Sequence, residues 1–223
     1  NQFNLETQVS LVDLRINENE VINLASEMRI SYLLGVSANG LDTEVLTLAA
    51  QTATSGGINL LDATDVTIGS VAALTVQRVA ADATISAQTD SAALAGLTSA
   101  GDGAIVLVTS VGDLTIDQVV TAHGSGQVTL NADAGTVTTN AVVSSTGGAI
   151  AITGDTVAQN AHITTGSAAT LQITADTGAI TMTDTKTSTT DTGAITYTAA
   201  TNVALNQLTS TSGAINVTAT AGA

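Results

Sequence analysis

Between residues 103 and 217 apolar residues return in pairs two positions apart, and the residue between them is usually polar or small. The pairs are Ile105 and Leu107, Val128 and Leu130, Ile150 and Ile152, Leu171 and Ile173, Ile195 and Tyr197, and Ile215 and Val217. Alternation with period two marks a strand with one packed face and one wet face. The pairs recur every 20 to 24 residues, and a fixed period in this range means stacked supersecondary units. A second, weaker apolar signal follows each pair at Leu114 and Ile116, Val137, Val157, Ile180 with Met182, and Val203 with Leu205. Val119, Val142, Ile163 and Leu208 then open a third face. Two or three short strands per repeat of about 22 residues predict an all-β chain wound as a parallel β-helix, or β-solenoid. The general preference of parallel crossovers makes it right-handed.

A strand this short cannot bury its apolar pair alone, so the pairs must stack coil on coil about 4.8 Å apart into one continuous core. Ile105, Ile150, Ile195 and Ile215 are expected to point inward, and Thr129, Gln172, Thr196 and Asn216 outward. Tyr197 takes an inward slot, so its hydroxyl needs a partner such as an inward Thr or Asn, or a locally wider coil. Gly103, Gly126, Gly147 with Gly148, Gly193 and Gly213 precede first strands and are expected at corners that need positive φ. No stretch beyond residue 100 offers the three-and-four spacing of an amphipathic helix, and the abundant Thr, Val and Ile favour sheet.

The first fifty residues differ in composition: they hold all five Glu, together with Phe3, Met28 and Tyr32. Residues 9–16, 21–24, 28–30 and 32–36 read as irregular strands. An alternative makes 19–34 a helix capped by Asn19 and ended by Gly35. From residue 45 the strand pattern settles, through 45–48, 56–60, 65–68, 73–79, 83–86 and 92–97, and it becomes strict past residue 100. Residues 1–44 are therefore expected to form an N-terminal cap or irregular first coils, and 45–223 one continuous solenoid.

Of the chain's residues 44% are hydrophobic but only 1% aromatic, which fits a lumen one aliphatic side chain wide. The absence of Pro suits unbroken backbone ladders, and the absence of Cys excludes disulfides and thiolate metal sites. A formal charge of −15 with four scattered basic residues leaves no footprint for nucleic acid. No run of eighteen apolar residues predicts a membrane span. The acidity reads as solubility. Ca²⁺ is the one ion it could attract, although the tandem GGxGxD repeat of calcium-loaded β-rolls is missing. No other cofactor is expected.

Candidate chemistry is sparse. His123 and His162 fall at different points of the repeat and are expected to be ordinary corner residues. Asp102 with Asp113, or Asp82 with Asp90, could form the carboxylate pair of a β-helix polysaccharide lyase or hydrolase. No basic residue or exposed aromatic stands beside them, and solvated corner aspartates are the better reading. The alternating run at 181–190, with Thr164, Thr165, Thr209 and Thr211 one coil away, raises a regular Thr array that binds ice or glycan. The Asn216–Val217–Thr218 sequon is expected by chance in so Thr-rich a chain.

The repeated Gly-Ala-Ile units at Gly103, Gly148, Gly193 and Gly213, the Thr, Gly, Asn and Val richness and the lack of Cys resemble bacterial surface and secreted β-solenoids. These are the filamentous-haemagglutinin-like and autotransporter-passenger repeats, and the resemblance covers most of 45–223. It implies an exported, extracellular or cell-surface protein segment, non-enzymatic, acting as an adhesin, stalk or filament subunit. The structural core ladder is then Ile105, Leu107, Val128, Leu130, Ile150, Ile152, Leu171, Ile173, Ile195, Ile215 and Val217. Both ends of the chain look cut from something longer. The C-terminal edge is expected to be continued head to tail, by more of the same solenoid or by self-association through Val9, Leu11, Leu14 and Ile16 of another copy.

Overall fold

The computed structural model describes residues 2–4, 21–23, 27–30, 40–52, 56–73, 75–79, 84–89 and 93–221. All regular structure among them is β, and parallel strands stack as a solenoid of about 7 turns. The first face runs through the strands Leu41–Thr43, Ile58–Asp62 and Ile105–Thr109 and the opening halves of Val128–Thr139 and Ile150–Gln159. It ends with Leu171–Ala175, Ile195–Ala199 and Ile215–Ala219. The second face holds Val66–Ile68, Leu114–Ile116, the closing halves of the two long strands, Ile180–Met182 and Val203–Ala204. The third holds Leu97–Ser99, Val120–Ala122, Val143–Ser145, Ile163–Thr165, Thr187–Thr190 and Gln207–Ser210. The strand Thr47–Thr52 serves the second and third faces of an earlier coil.

Register puts like on like. Ile58, Ile105, Val128, Ile150, Leu171 and Ile195 pair in sequence along the first face and are buried. Leu60, Leu107, Leu130, Ile152, Ile173 and Tyr197 form the adjoining inward column. Strands of three to five residues hold because each inward side chain is covered above and below by its column neighbours. The last coil lacks one of those covers. Ile215 and Val217 continue the columns in register yet are 45% and 50% exposed.

In the N-terminal segment, Gln2–Asn4 pairs in parallel with Val21–Asn23, and Glu27–Ile30 pairs in parallel with Thr47–Thr52. The described part of the proposed 19–34 helix is thus strand. The strands expected at 9–16 and 32–36 lie outside the described residues, as do Val9, Leu11, Leu14 and Ile16.

Three sequence expectations are corrected. The third face starts on Val120 and Val143, which are buried, and not on Val119, which is 47% exposed, or Val142. A corner does not alternate in and out, so the parity of one face does not carry to the next. Gly103, Gly126, Gly147, Gly148, Gly193 and Gly213 are not in the left-handed region, whereas Gly56, ahead of the Ile58 strand, is. The other positive-φ glycines among the described residues are Gly96, Gly101, Gly112 and Gly124. Glycine is required at Gly148 and Gly193 because adjacent coils touch backbone to backbone: a Cβ there would overlap the carbonyls of Gly126 and Ala169. Finally, the described parts of the strands expected at 73–79 and 83–86 do not continue the coils.

Those residues belong to a hairpin arm. Val71 and Ser70 pair antiparallel with Leu94 and Ala95, and further out Thr75–Val79 pairs antiparallel with Ile85–Thr89. The arm replaces the short corner between the second and third faces of the Ile58 coil. Its root is pinned by a small separate core in which Val71 and Leu94 bury Ala49. Coil geometry resumes at Leu97, which pairs with both Ala50 and Val120.

Candidate functional site

Polar side chains fall into four sets, defined by where the coils place them. The first lines the inner corner between the third and first faces, where one inward hydroxyl ends nearly every third-face strand. Ser145 Oγ donates to the Gly126 carbonyl (2.7 Å) and accepts from Gly148 N (2.8 Å). Thr165 Oγ1 donates to the Gly148 carbonyl (2.7 Å) and Thr190 Oγ1 to that of Gly193 (2.6 Å). Ser210 Oγ donates to the Gly193 carbonyl (2.9 Å), Thr52 Oγ1 to Gly56 (3.2 Å), and Ser99 to Gly103. These hooks satisfy corner carbonyls that the strand ladders leave free. Ala122 occupies the slot in one coil. The sequence carried the signal, a Ser or Thr three or four residues ahead of the corner glycine, and the Gly-centred reading passed over it.

The second set occupies the outer corners. Asp117 Oδ1 accepts from Asn140 Nδ2 (2.8 Å), Asn140 Oδ1 from Asn160 Nδ2 (3.0 Å), and Asn160 Oδ1 from Thr183 Oγ1 (2.6 Å). This chain of side chains crosses four coils. Between the first and second faces, Asp65 accepts from Asp113 N and Asp113 from Thr136 N, each at 2.7 Å. Asp102 accepts from the backbone N–H of Ser125 (2.8 Å) and from its hydroxyl (3.0 Å). Those two bonds, the backbone one first, hold the Asp102 carboxyl below its ordinary range although it is fully exposed.

Asp62 is the buried member of the acidic set. It accepts from Thr43 Oγ1 (2.7 Å), Val45 N (3.1 Å) and Thr64 N (3.0 Å), and so ties the Leu41 coil to the next one.

A third group sits inside the lumen. Tyr197 is buried; its hydroxyl donates to Gln159 Oε1 (2.6 Å) and lies 2.5 Å from Ser188 Oγ. Gln159 Nε2 donates to Ser188 Oγ (2.9 Å) and to the Ala161 carbonyl (3.1 Å). The partners of the phenol are thus an inward Gln and an inward Ser. Ser188 stands where Ile163 and Leu208 stand in neighbouring coils, and its small size admits the ring. Burial pushes the Tyr197 phenol well above its usual range, against a smaller lowering by Ser188, so it stays a neutral donor.

The fourth set faces outward on the sheets. Thr98, Thr121, Ser144, Thr164, Thr189 and Thr209 form a single column on the third face. Thr153, Thr174, Thr198 and Thr218 form another on the first. The run at 181–190 does not make one plane. Thr181 is on the second face, Thr187–Thr190 on the third, and Thr185 turns the corner between them at φ 70°.

The expected site residues are not drawn together. Asp102 and Asp113 lie at corners on opposite ends of the strand Ile105–Thr109. Asp82 and Asp90 lie outside the described residues. His123 follows the third-face strand of its coil, whereas His162 precedes its own and bonds Thr187 Oγ1 through Nδ1 (2.9 Å). Asp133, Asp155 and Asp176 follow one another along one corner, each just past a first-face column position. Among the described residues no group of three or more His, Cys, Asp or Glu could hold a metal ion. No described helix is long and apolar enough to cross a membrane. No family model matches the chain, and neither a curated protein nor a solved structure matches it.

Proposed function

We propose that the chain is a non-enzymatic structural segment, a rigid β-solenoid of an extracellular or cell-surface stalk, filament or adhesin. The observation that carries this reading is the use made of the polar side chains. Asp62, Asp65, Asp102, Asp113, Asp117, Asn140 and Asn160 each bind a group of the neighbouring coil, and so stiffen the stack instead of converging on a substrate. The bonds from Ser125 hold the Asp102 carboxyl below its ordinary range and so make it a poor proton donor. The column of outward hydroxyls and the excess of negative charge keep such a surface wet and soluble.

The last coil supports continuation along the axis. It keeps the corner hook, with Ser210 accepting from Gly213 N, and presents Ile215 and Val217 half covered. A further parallel coil would bury both and pair the free strand edge. The occupant in this reading is more of the same solenoid, or a second copy stacked head to tail in a heterologous contact. Immunogold labelling of intact producing cells tests the assignment. Label along surface fibres or stalks is expected, and label confined to the interior of sectioned cells overturns it.

A further inference from the structure

The hairpin arm is the one described element that breaks the solenoid's plan, and insertions into repeat proteins commonly mark the binding face. Its outer half is a two-stranded antiparallel sheet. Thr75–Val79 and Ile85–Thr89 pack chiefly against each other, whereas the root strands pack on Thr47–Thr52. Each outer strand therefore has one hydrogen-bonding edge without a partner strand among the described residues. Natural edge strands are guarded by charge, Pro or a bulge. Thr75–Val79 carries Arg78, but Ile85–Thr89 carries neither charge nor Pro. Within it Ile85 is 68% exposed, and Ser86 and Ala87 are exposed as well.

We propose that Ile85–Thr89 is a self-recognition edge that pairs antiparallel with the same strand of a second copy, about a two-fold axis at Ala87. The pairing sets Ile85 opposite Thr89 and Ser86 opposite Gln88, and joins the two arms into a four-stranded sheet. The second copy is the fitting occupant because an antiparallel pairing of one strand with itself is self-complementary, with each copy offering the same patch. The same self-pairing through Thr75–Val79, centred on Gln77, would set the two Arg78 positions diagonal to one another in one sheet, a like-charge pairing. A chain of charge −15 repels its copy, so contact through a neutral edge is favoured by salt, which screens the rest of the surface. This contact lies on the side of the rod and is independent of any stacking at its ends.

The test uses the absence of native cysteine. Ala87→Cys gives a unique thiol at the two-fold axis. Directly opposed residues of an antiparallel pair have Cα atoms about 4.5–5.5 Å apart, within the span of a disulfide. Mild oxidation is expected to give a covalent dimer from Ala87→Cys and none from Thr174→Cys on the first face. In parallel, residues 72–93 are replaced by Asn-Gly. Val71 and Leu94 are directly opposed, so a two-residue turn closes the hairpin and keeps its root. Sedimentation equilibrium should show dimerisation of the parent that strengthens with salt, weakened about tenfold or more, roughly 1.4 kcal/mol, in the shortened chain. Should shortening disturb the fold, the double variant Ser86→Lys and Gln88→Lys retains the arm and is expected to lose the dimer equally. A monomeric parent, equal dimerisation of parent and shortened chain, or no cross-link at position 87 overturns the proposal.

Discussion

The Ile58 coil and the Ile105 coil are neighbours in the sheet and could hardly differ more in the length of chain they use. From Ile58 to its registered partner Ile105 the chain takes 47 residues, and from Ile105 to Val128 it takes 23. The cross-sections are nevertheless the same. Ile58 pairs with Ile105, Val66 with Leu114, and Ala50, Leu97 and Val120 share one column. Excess chain leaves at a corner and returns to the same corner. What fixes a coil is therefore the set of inward columns and the hooks between them, while corner length is nearly free. This agrees with the slow growth of loop-closure cost with length.

The strongest way to break the equivalence is a charge in the lumen. Ile150→Asp and Ile58→Asp should each cost about 3–5 kcal/mol, the scale for a buried charge without a partner, and Thr129→Asp close to zero. Urea unfolding compares the three, and a tolerant Ile58 site would mean that the coil carrying the arm is not part of the same core. Next in size is backbone contact between coils. Gly148→Val should cost about 1–3 kcal/mol through overpacking against the Gly126 carbonyl, with faster amide exchange in the strands on either side.

Tyr197→Phe removes the phenol's bond to Gln159 Oε1 and leaves Ser188 Oγ, 3.3 Å away, as the remaining donor to that oxygen, for about 0.5–1.5 kcal/mol. The intact phenol also makes a pH prediction. Its folded pKa is raised, so its contribution is complete below the ordinary tyrosine pKa of about 10 and is lost as the pH climbs above it. With Tyr32→Phe as background, absorbance of the single phenolate should rise only together with unfolding.

Effects of this size and smaller sharpen the comparison corner by corner. Ser145→Ala should cost about 0.5–1.5 kcal/mol through its lost hook, and Ala122→Ser, which offers a hook where none exists, should raise the unfolding midpoint. The least is expected at Asp102. Its carboxyl is lowered, so its contribution is present above the ordinary carboxylate range and fades as the pH falls through it. The gap between parent and Asp102→Asn should accordingly close on acidification, read from acid-unfolding curves.

The first face was legible in the sequence from Ile58 onward, because five alternating positions fix both parity and period, whereas its three-residue strand Leu41–Thr43 is too short to show either. The third face was legible in its existence and not in its phase: Val119 with Val120, and Val142 with Val143, offer two adjacent apolar choices. Only the corner geometry selects between them. The arm was illegible for a local reason. The segment joining Val79 to Ile85 is Ala-Ala-Asp-Ala-Thr, with no Gly, Pro or Asn to announce a turn, so its two strands read as one more coil. The partners of Tyr197 come from positions 38 and 9 residues away, and no local pattern records a contact that depends on how three coils stack.

That last contact bears on how the chain avoids misassembly. Columns of Ile, Leu and Val are interchangeable, so a stack that skips a coil or shifts by one would lose little apolar burial. Such near-degenerate alternatives are the hazard of repetitive sequences. The trio of Gln159, Ser188 and Tyr197 is not interchangeable. Any arrangement that separates them shuts an amide, a hydroxyl and a phenol away from water without partners, at about 1–3 kcal/mol for each group. It acts as a bookmark in an otherwise uniform text, letting only one ordering of the pages close.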